Sequence, residues 1–277
     1  MKGTLLIVGL FLILNAVVFG QADMRKVDFK NFTYEPFCAG EDKQEVTVKD
    51  GEFSEEKQMD GYVDRFYFKV FDIAYGDLNG DGKDEAVILT VCNTGGTGNF
   101  SEGFVYSIKA RKPSMIARIP GGDRAYGGLR SAAIVGGMLV VESNDVGEQG
   151  GACCPEFVIS TKYKLTGAKI VESGKASRRE LYPKERVAFA KGTSGKTFRV
   201  KIQAQDLKRF VIGARAGQTL TVSISTDRAS LRLLDEADVT EGINNFLAVL
   251  PKSGDYIFEI QSNADIILEI VVNVKIR

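Results

Sequence analysis

Five acidic or amide side chains in nine residues form the densest chemical cluster in the sequence. Asp77, Asn79, Asp81 and Glu85 fall at positions 1, 3, 5 and 9 of one run, with Gly82 at position 6. Calcium takes six to eight hard oxygen ligands, and this spacing lets a short loop wrap one ion. Gly82 permits the sharp bend, Lys83 offers its backbone carbonyl, and Glu85 closes the loop. Position 12 is Ile88, so the bidentate glutamate of a helix-flanked calcium loop is missing. The expected cofactor is Ca²⁺. The competing reading is a tight turn without an ion, because Asn, Asp and Gly favour turns for their own reasons.

What is absent narrows the rest. The 277 residues contain no His and no Trp. Ser-His-Asp and Cys-His catalysis are therefore excluded, as is a His-ligated metal site. Thirty-six basic residues balance thirty-six acidic ones, which argues against a nucleic-acid partner. Catalysis without His leaves paired carboxylates. Asp123, Asp145 and Glu148, with Arg124 and Tyr126 nearby, are the candidates, and the plainer reading of them is solvated loop polars. The expectation is a protein that is not an enzyme.

Lys2 precedes an apolar run from Leu5 to Leu14, and small residues lead to a cut after Gly20. This is the pattern of a secretory signal peptide over 1–20. Leu5 to Gly20 is shorter than the roughly 20 residues that span a bilayer, so no membrane span is expected after cleavage. The chain is expected to be exported, either periplasmic or secreted. In that setting Cys38, Cys92, Cys153 and Cys154 read as two disulfides.

The elements that must position these residues are strands. Phe66, Phe68 and Val70 alternate with Tyr67, Lys69 and Phe71. Phe104, Tyr106 and Ile108 share a face, as do Leu220, Val222 and Ile224. Ile266 to Ile276 keeps one apolar phase for eleven residues. Period-two runs between glycine-rich turns predict antiparallel strands. The expected fold is all-β. A domain over 24–182, carrying the cysteines and the acidic loop, is an antiparallel meander. A jelly-roll-like β-sandwich over 183–277 follows it, beyond the charged, aperiodic stretch that ends at Pro183.

If each strand between 63 and 172 pairs with the next, parity sends the long loops to one end of the sheet. Asn93, Thr97, Asn99, Asp123, Arg124, Tyr126, Asn144, Asp145 and Glu148 would then line one binding rim. Parity also places Cys92 beside Cys153 and Cys154. A crossed pairing follows, Cys92 with one of the two and Cys38 with the other. The alternative joins Cys38 to Cys92 and closes the adjacent pair, and the strain of a bond between neighbours argues against it.

Two resemblances add to this. Asp77 to Glu85 resembles the strand-flanked calcium loops of FG-GAP-type repeats, which carry D-x-[DN]-x-D-G-x-x-[DE]. The stretches Arg186 to Gly192, Phe210 to Val222 and Leu250 to Ile260 resemble the bacterial pre-peptidase C-terminal domain, and related sandwiches occur in bacterial inhibitors of g-type lysozyme. These resemblances imply a β-sandwich found on exported proteins, generally without catalytic residues of its own. The expected function is a noncatalytic, calcium-stabilised protein of the bacterial envelope or extracellular space. It would bind a protein or polymer outside the cytoplasm. The alternatives are a carboxylate-dependent hydrolase of such a polymer and a protein like the lysozyme inhibitors.

Overall fold

The alternating runs fold as strands. The computed structural model describes residues 23–39, 45–147 and 151–277, so the signal segment 1–20 and Glu148 lie outside the described residues. Among the described residues the helical pieces are two single 3-10 turns, Met24–Lys26 and Phe37–Ala39. The all-β reading holds. No helix among these residues is long and apolar enough to cross a membrane.

A two-stranded ribbon, β1 (Thr33–Tyr34) with β2 (Val46–Thr47), precedes a five-stranded antiparallel meander. Its strands are β3 (Glu52–Met59), β4 (Tyr62–Gly76), β5 (Glu85–Asn93), β6 (Phe100–Lys109) and β7 (Lys112–Asp123), paired in that order. A second sheet runs β8 (Leu129–Val135), β9 (Met138–Asp145), β10 (Phe157–Thr166) and β11 (Lys169–Glu172), with β12 (Ser177–Glu180) on β10.

The chain divides into two compact units. The first holds the described residues up to Ser143 together with Ser160–Ser177. The second holds Asn144–Ile159 and Arg178–Arg277. Asn144–Ile159 and Arg178–Tyr182, drawn from the sequence with the first domain, cluster with the second.

The single long meander is corrected. β7 and β8 do not pair, so there are two sheets where parity predicted one. The break lies in the turn after β7. Tyr126 donates its N–H to the Asp123 carbonyl at 2.8 Å, and Gly128 donates to that of Arg124 at 3.1 Å. A Cβ on Gly122 would lie 1.9 Å from the Tyr126 carbonyl oxygen, so only glycine permits this approach. The turn lays β8 against a face of the first sheet and not along its edge. Leu129, Leu139 and Val141 bury there against Val87, Leu89, Val105 and Ile119. The opposite face is covered by the N-terminal segment, where Phe29, Tyr34 and Val46 pack on Phe68, Ile88 and Phe104. β5 is therefore buried on both faces, which explains its nearly unbroken apolar run.

The crossed disulfide pairing is corrected for the same reason. Cys38 bonds to Cys92, and Cys153 to Cys154. The N-terminal segment lies over the sheet face that carries Cys92. It brings the two Cα atoms to 6.5 Å, inside the bridging range of roughly 4.4–6.8 Å. Cys153 and Cys154 belong to the second unit.

That unit contains a β-sandwich. One sheet runs β13 (Lys184–Arg186), β15 (Leu207–Ala214), β20 (Gly254–Ser262) and β17 (Ala229–Leu233). The other runs β14 (Gly195–Ile202), β21 (Leu268–Ile276), β16 (Thr219–Ile224), β19 (Asn245–Val249) and β18 (Asp238–Glu241). Phe210, Phe246 and Phe258 fill the space between them, and Leu220, Val222 and Ile224 are buried as their phase predicted. Burying each such side chain contributes about 1.5–3 kcal/mol. Ile266 keeps the phase of β21 but precedes the strand and is exposed.

Candidate functional site

The acidic loop joins β4 to β5 and is wound by its own side chains. Asp77 accepts the N–H of Gly80 at 2.6 Å on one oxygen and that of Gly82 at 2.8 Å on the other. Asn79 accepts from Asp81 N at 2.8 Å, and Asp81 from Lys83 N at 2.9 Å. Gly80 and Gly82 have φ of 78° and 80°, the left-handed region that the winding needs. The Gly82 N–H foremost holds the Asp77 carboxyl below its ordinary range.

Glu85 behaves differently. It opens β5 and is 1% exposed. Its oxygens accept Leu78 N at 2.9 Å and the Asn79 amide at 3.0 Å. Burial pushes its pKa up, with the Leu78 N–H pulling the other way. Asp84 leaves the loop to pair with Arg25 at 2.5 Å.

The donors are hard oxygens, and a carboxylate oxygen accepting one N–H keeps a second lone pair, so Asp77, Asn79 and Asp81 suit a hard cation chemically. Among the described residues no three His, Cys, Asp or Glu side chains already converge at metal distance. Loading the loop would require these side chains to turn toward one point.

Six of the predicted rim residues belong to the first unit, where hydrogen bonds join Asn93, Asn99, Asp123 and Arg124. Asn93 donates its amide to the carbonyls of Gly98 and Gly96 at 2.7 and 3.0 Å, and to Asn99 at 3.1 Å. Asp123 accepts Asn99 N at 2.8 Å and both Nε and Nη2 of Arg124 at 3.0 and 3.2 Å. Those contacts, Arg124 foremost, hold Asp123 below the usual carboxylate range. Tyr126 keeps 55% of its surface exposed, and Thr97 is exposed on the loop between Asn93 and Asn99.

Asn144 and Asp145 belong to the second unit. There Asp145 accepts Gly147 N at 3.1 Å and Arg178 Nε at 2.6 Å, which lower its pKa. The Arg178 guanidinium stacks over the Phe157 ring, 3.4 Å from its centroid. Asp123 and Asp145 are thus each neutralised by a local arginine, and a general acid needs the opposite shift.

A site the sequence reading missed lies where the N-terminal segment meets β6 and β7. Glu102 on β6 is buried. Its oxygens accept Phe37 N at 2.7 Å and Arg118 Nη1 at 2.8 Å. Burial raises its pKa against both of those contacts. Arg118 Nη2 donates to the Glu35 carbonyl at 2.6 Å. Its guanidinium lies 4.9 Å from the Phe104 ring centroid and 5.5 Å from that of Phe37. Beside this pair opens a cavity of about 540 Å³ walled by Phe37, the Cys38–Cys92 disulfide, Phe100 and Pro120. One signal was readable: Glu102 stands in the same phase as Phe104 and Tyr106, so a carboxylate was due on a buried face.

No known protein family matches the chain by sequence. No curated protein matches it either. Among solved structures, PliG of Aeromonas hydrophila, a periplasmic inhibitor of g-type lysozyme, aligns at 22% identity and a TM-score of 0.31, over 34% of this chain and 96% of its own. Salmonella Typhimurium PliG aligns at 24% and 0.30, over 34% and 97%. An exo-beta-1,3-galactanase from Phanerochaete chrysosporium aligns at 10% and 0.21, over 85% and 71%. At these TM-scores none of them sets the fold or activity of this chain.

Proposed function

We propose that the chain is a noncatalytic, exported binding protein of the bacterial envelope or extracellular space, and that it is stabilised by Ca²⁺. The observation that carries the reading is the surface formed by the loops 93–99 and 122–128. Asn99 N donates to Asp123 and Arg124 N to the Asn99 carbonyl, which knits the two loops together, and the Tyr126 ring stands out to solvent. Such a surface is ordered before a partner arrives, so less entropy is lost on association. Of the carboxylates offered for hydrolysis, Asp123 is held ionised foremost by Arg124, and Asp145 foremost by the Gly147 N–H and then by Arg178.

The test is capture from envelope extract and culture supernatant by immobilised mature chain and by Tyr126→Ala. A protein or polymer retained by the wild type and lost by the variant is expected. Turnover of an envelope polymer that disappears in Asp145→Asn would replace this reading with the hydrolase. Lysozyme of the g type is the first protein to assay, because sandwiches related to the pre-peptidase C-terminal domain, which residues 186–260 resemble, occur in its inhibitors.

Asp77, Asn79 and Asp81 with the Lys83 carbonyl would hold the ion, while Glu85 braces Asn79 from behind. An ion that binds only the folded state raises its stability by mass action. The melting temperature is expected to rise in millimolar Ca²⁺ and to fall back in chelator, with no shift in Asp81→Ala. Identical wild-type melts in both buffers, together with no calorimetric binding heat, would remove the calcium.

A further inference from the structure

We propose that the cavity between Phe37 and Phe100 is a binding site for an uncharged, largely apolar small molecule of aromatic size. It deepens the binding reading and rests on it.

Its size, about 540 Å³, falls within the range of roughly 300–1,000 Å³ typical of small-molecule sites. The walls are apolar, and every polar group at the back is already answered from within. Ser101 Oγ donates to the Gly122 carbonyl at 3.1 Å and accepts Leu129 N at 2.7 Å. Both oxygens of Glu102 are engaged, and Arg118 closes the pair and reaches on to Glu35. A charged ligand would lose its hydration without finding a free counter-charge, whereas an apolar one loses nothing.

The walls are also held in place. Phe37 is 84% exposed and Phe100 49%, a solvation cost that a ligand would remove. Neither ring is loose. The Phe37 backbone is tied to buried Glu102, its ring lies under Arg118, and its neighbour Cys38 is bonded to β5. Phe100 is backed by the loop before it, where a Cβ on Gly98 would come 2.8 Å from the ring. A Cβ on Gly121 would lie 2.2 Å from the Ser101 carbonyl oxygen, so the backbone there lies flat against β6 and keeps that wall free of side chain. A preformed apolar wall costs little to organise on binding.

The experiment uses the full mature chain and N-phenyl-1-naphthylamine, an uncharged probe whose fluorescence rises in apolar surroundings. Expected are a saturable enhancement at one probe per chain and at least a tenfold loss of affinity in Thr94→Trp, which fills the cavity from an exposed loop position. A several-fold loss is expected in Phe100→Ala. The anionic anilinonaphthalene sulfonate, with the same ring system, is expected to bind at least tenfold more weakly. The proposal is overturned by a flat titration, by a signal unchanged in Thr94→Trp with its melting curve intact, or by equal affinity for the anion. Capture of a partner through Tyr126 would survive that failure, and loss of capture would leave the probe result standing, so the two readings fail separately.

Discussion

Glu85 and Glu102 stand on neighbouring strands of one sheet, and burial raises the pKa of both. They are answered in different ways. Glu85 takes neutral donors: Leu78 N and the Asn79 amide from within seven residues, and the Ser107 hydroxyl from the next strand. Glu102 takes Phe37 N from 65 residues away and the guanidinium of Arg118, which itself reaches back 83 residues to Glu35. The first carboxylate is served by its own turn and the adjacent strand. The second is served by the adjacent strand and also by the N-terminal segment, whose Phe37 N–H and Glu35 carbonyl complete the cluster.

The comparison breaks most sharply at the disulfide. The double variant Cys38→Ala, Cys92→Ala opens a link across 54 residues and should cost about 2–4 kcal/mol in urea unfolding. The acidic loop should keep its calcium response in that variant if the two regions are independent.

Arg118→Ala should cost about 2–4 kcal/mol, because it leaves Glu102 buried without its counter-charge. Arg118 is itself 30% exposed at the side chain, which places the effect below that of a fully buried pair. Arg118→Lys should recover only part of the loss, since a single ammonium cannot serve Glu102 and the Glu35 carbonyl in the same fork geometry.

Glu85→Gln should cost less, about 1–3 kcal/mol. It removes a buried charge but turns an NH₂ toward either Leu78 N or the Asn79 amide, both of which are donors. A neutral or stabilising outcome in urea would show that the charge penalty outweighs the lost acceptor.

Acid sharpens the contrast with the smallest effect. Asp123 has its pKa lowered, so its stabilising contribution is full above the unfolded value of about 3.9 and is lost as pH falls toward the folded one. Glu85 and Glu102 run the other way. Their raised pKa values favour folding below the unfolded value of about 4.3, and that contribution is lost as pH rises through the folded pKa. Arg124→Gln should therefore flatten the acid limb of the stability curve near Asp123 and leave the two glutamates titrating as before. An unchanged acid limb would show that Asn99 N, not Arg124, sets the Asp123 shift.

Much of the molecule was legible where neighbours in sequence are neighbours in space. Alternation in Phe66–Val70 and Leu220–Ile224 named strands and their buried faces, because a side chain's face in a strand depends only on its parity. The winding of Asp77 to Lys83 was legible because its bonds span two to five residues. Parity failed at Asp123–Gly128, since pairing with the next strand is a tendency and a tight glycine turn can lay that strand across the sheet.

Residue types and spacing by themselves determined the all-β class, the absence of histidine chemistry and the place of the acidic turn. Only the tertiary structure decided that Cys38 meets Cys92, that Asp145 belongs to a different compact unit from Asp123, and that Glu102, Arg118 and Phe37 line one cavity. The physical reason is range. Strand faces and turns are set by dihedral preferences over a few residues. A clasp across 65 residues is set by which faces have apolar surface left to bury, and that is known only once the sheets have formed.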